Sequence, residues 1–134
     1  MLIKISNLSF KYDKKSANTI LNKLNLDIKE GTVNVLLGLN GCGKTTLIKL
    51  LAGLEKPIEG TIYYGDDDLQ KLSYRKRSII FSYVPQQANV TSDVSVKQYL
   101  SYGTTNTLAF YEHPGKEEME RVEEVAKNSK SPIF

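Results

Sequence analysis

VNVLLGLNGCGKTTLIKLLAG, residues 33–53, divides into three parts with different patterns. Val33 to Leu37 is nearly continuous in apolar residues, as expected for a strand buried on both faces, with Asn34 as the exception. Gly38-Leu39-Asn40-Gly41-Cys42-Gly43-Lys44-Thr45 matches G-x-x-x-x-G-K-[ST]. From Lys44 to Ala52 the apolar positions Leu47, Ile48, Leu50, Leu51 and Ala52 suit a largely buried helix, which Gly53 is placed to end as a left-handed cap. Strand, glycine-rich loop and helix in that order are the context the motif needs. Glycines let the backbone curl so that successive N–H groups point at phosphate oxygens, and the helix adds its positive end. Lys44 then serves as a point charge for the β- and γ-phosphates, and the Thr45 hydroxyl as a Mg²⁺ ligand. The expected ligand is ATP with Mg²⁺. A chance lysine in a glycine-rich turn would lack the flanking strand and helix.

On the N-terminal side, Ile3 and Ile5 alternate with polar residues, the phase slips at Ser6-Asn7, and Leu8, Phe10 and Tyr12 resume it. This predicts a strand with a bulge. Asp13 to Asn18 is polar and reads as a hairpin loop. Leu24, Leu26 and Ile28 alternate with Asn25, Asp27 and Lys29, a second half-buried strand. On the C-terminal side, Gly60 to Gly65 is a short strand bracketed by glycines, with Asp66, Asp67 and Asp68 continuing the turn. Ile79 to Val84 reads as a further strand closed by Pro85. Ser95 caps a helix carrying Val96, Tyr99 and Leu100. Lys116 to Lys127 is strongly helical, with Met119, Val122, Val125 and Ala126 as its stripe. Glu117–Arg121 and Glu123–Lys127 support it as i,i+4 pairs. The class is α/β, with an antiparallel N-terminal part.

The chain has 134 residues, which is one domain by length. Its 18 basic and 15 acidic residues are too balanced for nucleic acid, and the Arg75-Lys76-Arg77 triplet reads as a solvated helix surface. No apolar run approaches the roughly 18 residues that span a bilayer. The alternating N-terminus does not resemble a signal peptide. A lone cysteine, Cys42, suits a reducing compartment, so the expected location is cytoplasmic. His113, the only histidine, sits in a polar His-Pro-Gly turn and reads as a surface residue.

Residues 36–47 (LLGLNGCGKTTL) followed by 50–54 (LLAGL) resemble the Walker A region of ABC-transporter ATPases. The resemblance extends from residue 1 to about residue 127. It implies a partial P-loop NTPase core, with Gly38 to Thr46 lining the nucleotide. It also implies that Tyr12, at the end of the first strand, stacks on adenine. Tyr83-Val84-Pro85-Gln86 resembles the family's Q-loop, whose glutamine touches Mg²⁺ and the attacking water; Gln87 leaves a one-position ambiguity. Lys44 and Gln86 are then the residues nearest the chemistry. By the same resemblance, Ala88 to Gly103 faces a transmembrane permease, a second nucleotide-binding domain is a partner, and the chain is peripheral on the cytoplasmic face. Leu72-Ser73-Tyr74-Arg75, the Tyr83–Gln87 segment and Ser95 to Gly103 look most like ATPases of iron-siderophore, haem and cobalamin importers.

The family pattern is incomplete in these residues. A Leu-Ser-Gly-Gly signature needs an adjacent glycine pair, and the sequence has none. The nearest approach to the acidic Walker B strand, Ile62 to Asp66, is interrupted by Gly65 and comes too early. No histidine is placed as the switch. The resemblance thus covers roughly the family's N-terminal half, which implies a truncated domain, with 128–134 expected as an unstructured tail. The leading reading is the ATP-binding part of an importer ATPase. The alternatives are a non-catalytic nucleotide-binding regulator or another phosphate-loop enzyme such as a small kinase. A kinase needs a lid rich in arginine, and Arg75, Arg77 and Arg121 do not cluster that way.

Overall fold

In the computed structural model, residues 3–13, 15–87, 94–104 and 114–128 are described, and the chain divides into two compact units, Met1–Ser82 and Tyr83–Phe134.

The first unit is built on a four-stranded sheet. Strand β1 (Ile3–Phe10) pairs antiparallel with β2 (Leu21–Ile28) on one side and β3 (Glu59–Tyr64) on the other, and β4 (Asp67–Asp68) completes the order β2-β1-β3-β4. The phase slip in β1 is a bulge. Asn7 has φ 49°, and the register shifts between Ile5 and Leu8 against β2 and between Ser6 and Ser9 against β3. One extra residue returns Leu8 and Phe10 to the face that buries Ile5, so three residues of spacing do the work of two. Across from the bulge, Gly60 has φ 83°, and a Cβ there would lie 2.4 Å from the Asn7 carbonyl oxygen. Only glycine fits that crossing.

Helix α1 (Lys44–Leu51) ends in a Schellman motif. Gly53 at φ 66° donates its N–H to the Leu50 carbonyl (3.0 Å), and the Leu54 N–H reaches the Lys49 carbonyl (2.9 Å). The helix buries Thr46, Leu47 and Leu50, while Ile48 on the other side is exposed. Leu47 and Leu50 join Ile5, Leu8, Phe10, Ile62 and Tyr64 of the sheet, with Leu69 and Leu72, in one hydrophobic cluster. Ile5, Leu8, Leu50 and Ile62 are fully buried, each contributing about 1.5–3 kcal/mol on transfer from water.

Three expectations are corrected here. Val33 to Leu37 joins no strand ladder, and Val33 and Leu37 are 95% and 86% exposed. A strand buried on both faces needs neighbours on both edges, and no described residues of the chain pair with it. Asn34 Nδ2 instead donates to the Thr32 hydroxyl at 2.8 Å. Ile79 and Ile80 belong not to a strand but to helix α2 (Tyr74–Ile80), whose N-cap Ser73 accepts from the Lys76 N–H (3.3 Å); residues 81–84 pair with no strand. Capping and a first-turn run of helix formers outweigh the short apolar stretch. Asp67 and Asp68 pair with Tyr64 and Tyr63, so only Gly65 and Asp66 form the turn.

Arg77 of α2 also departs from the solvated reading. Its Nη1 donates to the Gly53 carbonyl (2.9 Å), its Nε to the Leu72 carbonyl (3.1 Å), and the guanidinium lies 4.5 Å from the Tyr74 ring centroid. It satisfies a carbonyl just past the end of α1 and ties the two helices together.

In the second unit, α3 (Val96–Ser101) starts at a capping box. Ser95 accepts from the Gln98 N–H, and Gln98 Oε1 accepts from the Ser95 N–H. Helix α4 (Lys116–Asn128) buries Val122 and Ala126 but leaves Val125 exposed. The Arg121–Glu117 pair forms at 3.2 Å, whereas Glu123 pairs with Lys97 of α3 (3.1 Å) rather than with Lys127. Gln87, Val94 and Pro114 border undescribed segments. His113, residues 88–93 of the expected permease-facing surface, and 129–134 of the expected tail lie outside the described residues.

Candidate functional site

The glycine-rich loop is held open by its own backbone. Gly41 and Gly43 have φ 82° and 96°, conformations that side chains other than glycine rarely adopt. A Cβ on Gly41 would meet nothing within 4 Å, so its role is conformational and leaves the loop's surface open. At Gly43 the constraint is spatial as well. A Cβ would approach Ile20 Cγ2 at 3.1 Å and Leu21 Cδ2 at 3.2 Å, where the loop leans on the start of β2.

Gly43 is also the N-cap of α1, and no side chain caps the helix. The N–H groups of the first turn therefore have no intrahelical acceptor and face the loop. Together with the helix dipole they can receive an anion. Lys44 folds back across the loop. Its Nζ donates to the Gly38 and Leu39 carbonyls (2.7 Å each) and contacts Cys42 Sγ at 3.7 Å. The charge is thus fixed over the loop by main-chain oxygens and remains exposed to incoming anions. Asn40 is exposed, as are Leu39, Cys42 and Thr45; Thr45 occupies the second helical position, one residue from the ammonium. Among the described residues no three His, Cys, Asp or Glu gather as a metal cluster. A Mg²⁺ here fits only as an ion shared between a hydroxyl such as Thr45 and phosphate oxygens, the coordination that this cation favours.

Tyr12 lies two residues beyond the end of β1. Its ring meets Phe10 edge-on (centroids 4.9 Å apart, planes at 88°), and its hydroxyl lies 3.3 Å from Thr46 Oγ1 on α1. The phenol is 58% exposed, whereas Thr46 is 6% exposed. Tyr12, Phe10 and Lys11 also line an open cleft of about 740 Å³ with the 54–58 loop and Gln70. Thus Tyr12 and Gly38 to Thr46 come together in the first unit. Gln86 is exposed and belongs to the second unit. The Tyr12–Thr46 contact escaped sequence reasoning because no local pattern links residues 34 positions apart. The only sequence signal was the second threonine after Lys44.

The comparison with known proteins decides the family. The ABC transporter profile matches residues 21–132. The chain belongs to the ABC transporter family. Curated relatives include an Fe(3+) ions import ATP-binding protein of Vibrio cholerae, 36% identical over 111 residues, covering 83% of this chain and 30% of the relative. A sulfate/thiosulfate import ATP-binding protein of Agrobacterium fabrum is 33% identical over 125 residues (93% of this chain, 35% of the relative). A spermidine/putrescine import ATP-binding protein of Marinobacter nauticus is 38% identical over 123 residues (92% and 31%). This ABC chain therefore spans about a third of the length of the curated relatives it matches. Among solved structures, a dimeric bacterial ABC transporter cassette superposes with a TM-score of 0.76 at 25% identity, over 93% of this chain and 56% of that one. A dimeric post-hydrolysis cassette bound to ADP and Pi gives a TM-score of 0.74 over the same shares. The α/β P-loop NTPase class is therefore established, with an antiparallel sheet at the N-terminal side.

Proposed function

We propose that this chain is the ATP-binding part of an importer ATPase, in which Gly38 to Thr46 and Lys44 hold the phosphates of Mg-ATP. The observation that carries this reading is the open glycine loop, with Lys44 Nζ fixed over it, running into an uncapped helix start. The family match supplies the nucleotide: the relatives are named as ATP-binding import proteins, and the post-hydrolysis cassette holds ADP and Pi. Thr45 would ligate Mg²⁺ together with phosphate oxygens, and Tyr12 would face the adenine. Gln86 would join Mg²⁺ and the attacking water. The relatives serve Fe(3+), sulfate/thiosulfate and spermidine/putrescine import, so an iron-type substrate is one of several import chemistries consistent with this chain.

The membrane partner is a permease met through residues 88–103, with the chain peripheral on the cytoplasmic face. Val96, Tyr99 and Tyr102 are 40%, 48% and 58% exposed, apolar surface that suits a protein neighbour. Among the described residues no helix is long and apolar enough to cross a membrane itself. A second cassette is the other partner, since the two solved relatives are dimers.

Titration of Mg-ATP into the chain tests the reading. Lys44→Ala removes a charge-assisted contact worth about 1.5–3 kcal/mol, so affinity falls at least about tenfold. Equal affinity in both proteins would refute it. Steady phosphate release is expected to be absent from the 134-residue chain, because the sequence holds neither a Walker B acid nor a signature loop.

A further inference from the structure

We propose that Asn40 is a site of spontaneous deamidation: it converts to aspartate or isoaspartate while the phosphate loop is empty, and the product weakens nucleotide binding. The loss of binding rests on the nucleotide-binding reading above, whereas the conversion itself does not.

Of the nine asparagines in the sequence, Asn40 alone precedes a glycine. Deamidation near neutral pH begins when the main-chain nitrogen of the next residue closes on the asparagine side chain, so a side chain on that next residue obstructs it. Gly41 has none, and a Cβ there would meet nothing within 4 Å, which leaves the peptide room to turn. The two residues form the tip of a turn closed by the Cys42 N–H on the Leu39 carbonyl at 3.3 Å, and both are exposed. Among the described residues, neither the Asn40 amide nor the Gly41 N–H has a hydrogen-bond partner. The attacking nitrogen and the leaving amide are therefore both free and both open to water. Elsewhere these conditions fail. Asn7 and Asn25 bond each other across the bulge and precede leucines, and Asn34 Nδ2 is held by the Thr32 hydroxyl at 2.8 Å and precedes Val35.

The chemistry needs only water. Solvent base takes the Gly41 amide proton, and the nitrogen attacks Asn40 Cγ. The new C–N bond closes a succinimide ring as the bond to Nδ2 breaks, and that nitrogen leaves as ammonia with a proton from solvent. Water then opens the ring. Opening at Cγ gives aspartate, whereas opening at the main-chain carbonyl gives isoaspartate, whose chain runs through Cβ and Cγ. The net change is amide plus water to carboxylate plus ammonium, with nothing oxidised or reduced. Either product sets a negative charge on the loop, where it repels phosphates. Isoaspartate also lengthens the main chain between Gly38 and Lys44, whose Nζ is fixed by the Gly38 and Leu39 carbonyls at 2.7 Å each. Phosphates held by the loop's N–H groups restrain Gly41, so occupancy slows ring closure.

The test ages the 134-residue chain at mildly alkaline pH, with and without saturating Mg-ATP. Peptide mass spectrometry follows the amide-to-acid mass gain at each asparagine, and Mg-ATP affinity is titrated along the time course. Asn40 should convert well ahead of Asn18 and Asn34, and more slowly with Mg-ATP bound. The converted chain should bind Mg-ATP about three- to tenfold more weakly, as should Asn40→Asp against fresh wild type. Asn40→Gln closes the corresponding ring poorly, so it should hold its own starting affinity through the same ageing. Conversion of Asn40 no faster than that of Asn18, or undiminished by Mg-ATP, would overturn the proposal. So would full affinity in both the converted chain and Asn40→Asp, or a loss of affinity in aged Asn40→Gln that matches wild type. If fresh wild type binds no Mg-ATP, or Lys44→Ala binds it equally well, the nucleotide reading fails and the loss of binding with it. The mass gain at Asn40 separates that case, because it is read without any ligand.

Discussion

Cys42 and Tyr64 show how far single residues depend on surroundings that their own types do not reveal. Cys42 is exposed, and its Sγ lies 3.7 Å from Lys44 Nζ and 2.8 Å from where a Cβ on Gly38 would sit. The thiol therefore sits against Gly38 and Lys44, so a maleimide adduct would crowd a nucleotide held by the loop. Labelling should abolish Mg-ATP binding, and bound Mg-ATP should slow labelling. Complete labelling that leaves ATP affinity intact would show that the thiol turns away from the ligand. Tyr64 is an ordinary aromatic of β3 by sequence. In the fold its hydroxyl donates to the Leu51 carbonyl, its ring stacks on Phe81 at 5.2 Å, and burial pushes the phenol from 10.0 up to about 12. Its folded pKa lies above the unfolded one, so the folded chain keeps the proton that the unfolded chain releases. Stability from this group is full below pH 10 and is lost as pH rises toward about 12. Denaturant midpoints should fall across that window in wild type. Tyr64→Phe should start about 1 kcal/mol less stable and lack the Tyr64 part of the slope. Parallel pH dependence in both proteins would count against this assignment.

Elements were legible where local chemistry decides them. Gly53 after Leu51, Ser95 before Val96 and the slip at Asn7 each act through neighbours within a few residues, and each appears in the fold as a cap or a bulge. Ile79 to Val84 departs from its strand pattern for the opposite reason. Its apolar run suits either period, and the deciding interactions are the Ser73 cap and the Arg77 bonds to Gly53 and Leu72. Those bonds give α2 a testable weight. Arg77→Ala leaves the Gly53 and Leu72 carbonyls without these donors and loses the contact over Tyr74, and should cost about 1–3 kcal/mol in thermal or denaturant unfolding. Ser78→Ala on the exposed side of the same helix should cost less. Equal losses from both would show that Arg77 is not a clamp between helices.

For the whole molecule, Val33 to Leu37 is the segment whose environment differs most from its sequence pattern. Val33, Val35 and Leu37 are 95%, 74% and 86% exposed, although their pattern is that of a strand covered on both sides. Their amides should exchange with deuterated solvent much faster than those of β1, which is paired along both edges. Protection of residues 33–37 equal to that of β1 in the 134-residue chain would show that they pair after all. The loop that follows does not depend on that pairing, because its shape comes from glycine torsions and the helix start.

The sequence by itself determined the phosphate loop, the helix that follows it, the bulged first strand and the family, since those rest on glycine torsions, caps and short-range periodicity. Tertiary structure alone decided that Tyr12 meets Thr46, that Arg77 meets Gly53, and that Val33 to Leu37 pairs with none of the described residues. The physical reason is the same in each case. A strand or a buried polar group is completed by partners distant along the chain, and no local pattern records whether those partners are there.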